Sequence, residues 1–255
     1  MVSESRKQQI LDLIRKDGSV RVAELSQLFE VSEVTVRNYL TDMESKGLLT
    51  RTHGGAISSY KPYCSMNFNQ RLETNFLEKD IIAKKTAELI EPNDTIMLNA
   101  GTTTLLVFRH LPADYNLNII TNSISIALEA SANPNYNIVL IGGSVNSKYQ
   151  FTFGSDAMSI LKNYYADKLI LSVDGIDLNG GFSTYYNEEV DIDKRMIEQS
   201  NMCIIAADCS KFARNAFVKI SDLSTADYIV TNYEPDTTEE NIFYDNGINL
   251  INANK

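Results

Sequence analysis

A chain of 255 residues is too long for one small core and suits one small plus one medium domain. With 44% hydrophobic and 22% charged residues it has ordinary globular composition, and no apolar run approaches the roughly 18 residues of a membrane helix. The formal charge of −10 excludes a protein that coats nucleic acid along its whole length. The charge is uneven, however. Residues 1–61 hold nine Lys/Arg against eight Asp/Glu, and residues 62–255 hold fourteen against twenty-five. Phosphates repel the acidic part, so any DNA contact has to come from the N-terminal part. Met1 to Lys16 has no apolar signal-peptide core, so a cytoplasmic location is expected. Cys64, Cys203 and Cys209 show no CxxC spacing, and His53 and His110 stand far apart. No metal site, disulfide framework or cofactor is expected from them.

The first element is a helix over residues 5–16, with Ile10, Leu13 and Ile14 at helical spacing and Asp17-Gly18 as its stop. Arg21 to Phe29 reads as a second helix with Val22, Leu25, Leu28 and Phe29 on one face. Ser32 is a good N-cap for a third, whose inner face is Val36, Leu40 and Met43 and whose stop is Gly47. Two short apolar segments, Leu48 to Arg51 and Ala56-Ile57, flank Gly54-Gly55 as a β-hairpin. Three helices and a hairpin make a winged helix-turn-helix; a generic three-helix module fits the same periodicity. Residues 1–58 form this domain, and residues 59–75 read as a polar linker.

From residue 76 the chain alternates. Helices are expected over Glu78 to Ile90, after Gly101, after Ser123, over Asp156 to Tyr164 and over Glu189 to Gln199. Strands are expected at Thr95 to Leu98, Asn118 to Thr121, Asn137 to Ile141, Lys168 to Val173, Met202 to Ala206 and Tyr228 to Thr231. Short apolar strands alternating with helices predict an α/β domain on a mostly parallel sheet over residues 76–255.

If Val36, Leu40 and Met43 face inward, Val34, Asn38 and Thr41 face outward, flanked by Thr35 and Arg37. Asn38 suits adenine, Arg37 guanine or a phosphate, and Val34 a thymine methyl. Ser32 and the free N–H groups at the helix start suit a phosphate. Lys46, Arg51 and His53 are placed to reach the DNA backbone or the minor groove. Solvated polar residues on an exposed helix face look the same one by one.

This stretch resembles the DNA-binding segment of DeoR-type bacterial regulators. The similarity covers residues 5–57, including Val22-Ala23-Glu24-Leu25, Thr35-Val36-Arg37 and the closing Arg51-Thr52-His53-Gly54-Gly55-Ala56. Asn38-Tyr39 stands where that family has a basic-acidic pair, which implies a different operator sequence.

In the second part three loops follow expected strands. Asn99-Ala100-Gly101-Thr102-Thr103-Thr104 leads into a helix and suits a phosphate cradle, although a polar N-cap cluster without a ligand has the same composition. Asp174-Gly175-Ile176-Asp177 offers a carboxylate, or is simply an Asp-Gly turn. Asp208-Cys209-Ser210-Lys211 offers a cation for a phosphate, or an ordinary surface lysine. Together they resemble the C-terminal domain of the same DeoR-type regulators, similar in fold to ribose-5-phosphate isomerase, glucosamine-6-phosphate deaminase and CoA-transferases. That resemblance implies a sugar-phosphate effector held by Gly101, Thr102, Thr103, Thr104, Asn122, Asp174, Glu188, Lys194 and Lys211. Asn99 and Asn232 stand where the family commonly has Asp, which bears on effector choice.

The function expected is a DNA-binding transcription regulator, a repressor of sugar-metabolism genes, acting on double-stranded operator DNA as a homodimer or homotetramer, with no membrane partner. The alternative is a sugar-phosphate isomerase or deaminase carrying a DNA-binding head, with Asp174 and Glu188 moving protons. The related enzymes need several carboxylates at the second loop, which this chain lacks, so no catalysis is expected.

Overall fold

The computed structural model describes residues 6–7, 9–11, 13–14, 19–45, 48–58 and 66–255. The Asp17-Gly18 and Gly47 stops, Lys46, Cys64 and residues 59–65 of the expected linker lie outside these. The chain divides into two compact units, Met1–Met66 and Asn67–Lys255.

In the first unit, residues 6–7, 9–11 and 13–14 are helical, with Ile10 and Ile14 buried. Then follow β1 (Ser19–Arg21), α1 (Val22–Phe29), α2 (Glu33–Ser45), β2 (Leu49–Thr52) and β3 (Gly55–Ser58). One apolar core joins Ile10, Ile14, Val22, Leu25 and Phe29 to Val36, Leu40, Met43 and Leu49. Full burial of such side chains contributes roughly 1.5–3 kcal/mol each, which stabilises helices too short to persist alone. Glu30 ends α1 in the left-handed conformation (φ 53°) and turns the chain toward α2. The expected hairpin is present but gains a third strand. The sheet order is β1-β3-β2, all antiparallel. A Cβ on Gly55 would lie 1.9 Å from the Val20 carbonyl oxygen, so glycine is what lets β1 close on β3.

The second unit begins earlier than expected. Residues 68–73, read from sequence as linker, form helix α3 (Phe68–Glu73), closed by a capping box between Asn67 and Gln70. Next come α4 (Phe76–Ala87), β4 (Thr95–Leu98), α5 (Thr102–His110), β5 (Asn118–Thr121), α6 (Ile124–Ala130) and β6 (Asn137–Leu140). After these are β7 (Ser144–Asn146), β8 (Phe151–Phe153), α7 (Ser155–Leu161), β9 (Lys168–Leu171), β10 (Gly175–Asp177), β11 (Gly181–Thr184) and α8 (Asn187–Glu198). The unit closes with β12 (Cys203–Ala206), β13 (Val218–Ser221), β14 (Tyr228–Thr231), α9 (Thr237–Asp245) and β15 (Asn249–Asn252).

The main sheet has seven strands in the order β15-β14-β12-β9-β4-β5-β6, every pair parallel. Its inner strands are buried on both faces, and alternate residues feed two cores. Met97, Leu169, Leu171 and Ile205 join Leu161, Ile192, Met196 and Phe243 from α7, α8 and α9. Ile96, Leu98, Ile170 and Ile204 join Ile82, Leu105 and Ile126 from α4, α5 and α6. The result is a doubly wound three-layer α/β domain. A small antiparallel sheet, β10-β11-β13, and the hairpin β7-β8 are added to it. Gly175-Ile176-Asp177, read from sequence as a loop, is therefore strand β10.

Candidate functional site

In the first unit the exposed face of α2 is the candidate. Ser32 Oγ accepts from Thr35 N at 3.2 Å and caps the helix. Val36, Leu40 and Met43 are buried, while Ser32, Val34, Arg37, Asn38 and Thr41 are exposed and Thr35 is half-buried. Val34 is 64% exposed and so presents its methyl groups on this face. Two arginines on this face already have partners. Arg37 Nη2 donates to Glu33 Oε2 at 2.6 Å, and Arg51 Nη1 donates to Thr41 Oγ1 at 2.7 Å. Glu44 Oε1 accepts from Arg51 N at 2.8 Å, which fixes the start of the wing against α2. Exposed pairs of this kind contribute no more than about 1 kcal/mol, so a phosphate displaces them at little cost. His53 is exposed in the β2–β3 turn.

In the second unit the site follows from sheet topology. From β4 the chain winds outward to β5 and β6, then crosses to the other side of β4 and continues through β9, β12 and β14. The loops after β4 and β9 therefore diverge, and in such sheets ligands bind at this switch point, beyond the carboxyl ends of the strands. Asn99 follows β4 and ties the two loops together. Its Nδ2 donates to the Ser172 carbonyl at 3.0 Å, and its Oδ1 accepts from Ser172 N at 3.0 Å. A Cβ on Gly101 would lie 1.7 Å from Ser172 Oγ, so any larger residue there would require Ser172 to shift. Thr104 Oγ1 accepts from Gly101 N at 2.9 Å and donates to the Asn99 carbonyl at 2.8 Å.

Asp174, after β9, is the hub. Its Oδ1 accepts from Arg71 Nη2 at 2.8 Å and lies 3.7 Å from Lys211 Nζ. Its Oδ2 accepts from Tyr185 N at 3.2 Å and Thr184 Oγ1 at 3.4 Å, and its carbonyl accepts from Arg214 Nε at 2.8 Å. Burial raises the Asp174 pKa, but Arg71, Lys211 and Arg214 outweigh it and hold the carboxyl below its usual range. Burial lowers Lys211 to about 7, against the opposing pull of Asp174 and Asp208. Arg71 also lies over two tyrosine rings, 5.5 Å from the Tyr149 centroid and 5.2 Å from Tyr186. It is positioned by Lys79, a buried lysine whose Nζ donates to the Arg71 and Thr74 carbonyls at 2.5 and 2.7 Å. Asp208, after β12, accepts from Asn75 Nδ2 at 3.2 Å and from Ser210 N at 3.0 Å.

Asp174 and Lys211 thus meet, and Gly101 to Thr104 open α5 at the same sheet end, where Thr102, Thr103 and Thr104 are buried. Asn122, after β5, is fully buried; its Oδ1 has no hydrogen-bond partner and its Nδ2 donates to the Thr152 carbonyl at 3.4 Å. Glu188 and Lys194 do not join this cluster. Both are exposed on α8, because a helix advances 100° per residue and its inward positions are Glu189, Val190, Ile192, Asp193 and Met196. Helical phase was the signal that could have selected Glu189 and Asp193. Arg71 and Arg214 were also missed. Arg71 sits in a segment read as linker, where the Asn67-x-x-Gln70 capping box was legible. Arg214 follows Ala213, a left-handed residue (φ 54°) whose conformation no local residue type announces. Asn232, the second departure, accepts from Cys209 N at 2.8 Å and so anchors the Asp208–Lys211 segment. Among the described residues no group of His, Cys, Asp and Glu is arranged for a metal, and no helix is long and apolar enough to cross a membrane.

A winged helix-turn-helix with an exposed reading face, joined to a doubly wound domain with a charged site at its switch point, defines a two-domain DNA-binding regulator. Comparison with known proteins agrees. The DeoR-like helix-turn-helix domain matches residues 6–61, and the DeoR C terminal sensor domain matches residues 74–233. The chain is 35% identical to the uncharacterized HTH-type transcriptional regulator YulB of Bacillus subtilis, over 91% of this chain and 89% of that one. It is 31% identical to the glycerol-3-phosphate regulon repressor of Escherichia coli K12, over 98% and 99% of the two chains. Among solved structures it is similar to ribose 5-phosphate isomerase A of Methanocaldococcus jannaschii, at 17% identity over 53% of each chain and a TM-score of 0.39. The chain belongs to the DeoR family of transcription regulators. Its relatives are named as regulators and repressors, so the isomerase or deaminase alternative falls away.

Proposed function

We propose that the chain represses sugar-metabolism genes in the cytoplasm, as a homodimer or homotetramer whose operator affinity is set by a phosphorylated sugar or polyol. The observation that carries the effector reading is the set of cations, buried Lys211 with the partly buried Arg71 and Arg214, around one carboxylate at the switch point. A phosphate on Gly101, Thr102 and Thr103 uses the N-terminus of α5, and its charge is matched by those cations. Asn122, Asp174 and Lys211 meet the remainder of the ligand, with Glu189 rather than Glu188 beside them. Thr104 holds the loop. The relative named for glycerol 3-phosphate supports a phosphate ester as the signal.

On the DNA side, Val34, Arg37, Asn38 and Thr41 read base edges. Ser32, Thr35, Lys46, Arg51 and His53 contact the backbone or minor groove. One recognition helix gives little specificity, whereas two copies read half-sites about 34 Å apart. The deciding experiment titrates the chain onto operator DNA by fluorescence anisotropy, with and without members of a phosphosugar panel identified by thermal shift. A ligand at 100 times its dissociation constant stabilises the native state by about 2.7 kcal/mol, well within reach of the screen. A chain that melts identically with every phosphosugar, or that holds its operator unchanged in their presence, overturns the reading.

A further inference from the structure

We infer that the carboxyl groups of Glu189 and Asp193 form the part of the sensor site that receives the hydroxyl-bearing end of the ligand and excludes a second anionic group. The inference rests on the phosphosugar reading and names the ligand class more closely: one phosphate, with the remainder uncharged and polyhydroxylated.

The two residues lie one turn apart on the inward face of α8, both buried. Glu189 Oε2 accepts from Thr184 Oγ1 at 3.3 Å, and the same hydroxyl lies 3.4 Å from Asp174 Oδ2. Asp193 Oδ1 accepts from Asn99 Nδ2 at 3.3 Å, at the root of the loop that leads to Gly101. Each acid therefore touches a residue of the switch-point site through one oxygen. The other oxygen of each, Glu189 Oε1 and Asp193 Oδ2, is buried with no hydrogen-bond partner. Buried polar atoms in a closed core are almost always paired, so two such oxygens on one helix face are positions left for a ligand.

The charge balance gives their chemistry. Arg71, Lys211 and Arg214 are gathered on Asp174 and keep it ionised. Burial, followed by the fields of Asp193 and Asp174, raises Glu189 well above its ordinary range; burial, with Asp174 adding to it, does the same to Asp193. A carboxyl whose proton is retained more readily than usual can offer one O–H donor beside its acceptor oxygen, the complement of a sugar hydroxyl. A ligand carboxylate would instead add its charge to the field of the ionised Asp174, on an inward face of α8 that offers oxygen atoms and no cation.

The test uses the full chain and two matched probe pairs, glucose 6-phosphate against 6-phosphogluconate and ribose 5-phosphate against the corresponding aldonic acid phosphate. Calorimetry is expected to show each acid binding at least about tenfold more weakly than its sugar. Glu189→Gln and Asp193→Asn, neutral and nearly isosteric, stay within about threefold of wild type for the sugar; Glu189→Leu and Asp193→Leu lose about tenfold or more. Equal binding of acid and sugar overturns the inference, as do leucine variants with unchanged affinity. Loss in the amide variants equal to that in the leucine variants also overturns it, because the sites would then act as carboxylates, as a preference for glucosamine 6-phosphate would independently show. Should the leucine variants fail to fold, the amide variants and the probe pairs still decide. A wild-type chain that binds no sugar phosphate at all sinks the phosphosugar reading itself, which separates the two failures.

Discussion

Lys211 shows how one residue is set by its surroundings. Desolvation brings its ammonium down to about 7, while Asp174 and Asp208 hold part of the charge in place. A dianionic phosphate arriving beside it favours the charged form, so the bound state holds more protons than the free state above pH 7. Affinity is therefore expected to fall as pH rises from about 7 to 9, with proton uptake on binding. Calorimetry in buffers of different ionisation enthalpy measures that uptake, and Lys211→Met should abolish it. The same depression acts on stability in the opposite sense. Between about 7 and the ordinary lysine value the unfolded chain binds more protons than the folded one, so this residue's contribution to stability improves with rising pH. The Arg71–Asp174 pair behaves differently. Both side chains are about nine-tenths buried, so removing either partner strands a buried charge.

Among the elements, α2 is the proposed DNA reader, and its parts separate cleanly. Ser32 supplies the N-cap, so Ser32→Ala is expected to cost about 1 kcal/mol of stability, read from a denaturant or thermal melt. Arg37 contributes almost nothing to folding through its exposed pair with Glu33. Arg37→Ala is therefore expected to leave the melt unchanged and to reduce operator affinity by about 1–3 kcal/mol, while phosphosugar affinity stays at the wild-type value. A gel-shift titration identical to wild type would remove α2 from the reading role. Helix α8 has a similar part in the proposed sensor site. Its phase, set by Val190, Ile192 and Met196 in the core, decides that Glu189 and Asp193 turn inward and that Glu188 and Lys194 face solvent.

At the scale of the whole molecule, regulation is a coupling between two sites on separate units. Such couplings are typically about 1–3 kcal/mol, a 5–150-fold change in operator affinity, and they are reciprocal. Operator DNA is accordingly expected to weaken effector binding by the same factor by which effector weakens operator binding. Thr103→Ala should blunt the effector response while basal operator affinity remains that of wild type, as anisotropy with and without the phosphosugar will read.

Much of this was legible in one dimension. The apolar periodicity of Val36, Leu40 and Met43 fixed the outward face of α2, because local phase and burial are properties of the segment itself. Six of the seven main-sheet strands were legible for the same reason, as short apolar runs; the edge strand β15, Asn-Leu-Ile-Asn and only partly buried, was not. The three-residue strands β7, β8 and β10 were not, since runs so short show no periodicity, and the Asn of β7 and the Gly and Asp of β10 form strand only through their pairing partners. Nor was the membership of the sensor site, where Arg71 lies 103 positions from Asp174 and Arg214 lies 40. Spacing along the chain carries no record of such meetings. The sequence alone determined which segments carry an apolar face. Only the tertiary structure decided which charges are taken out of water together, because desolvation and pairing depend on the crossing that brings β9 back beside β4 and on nothing local.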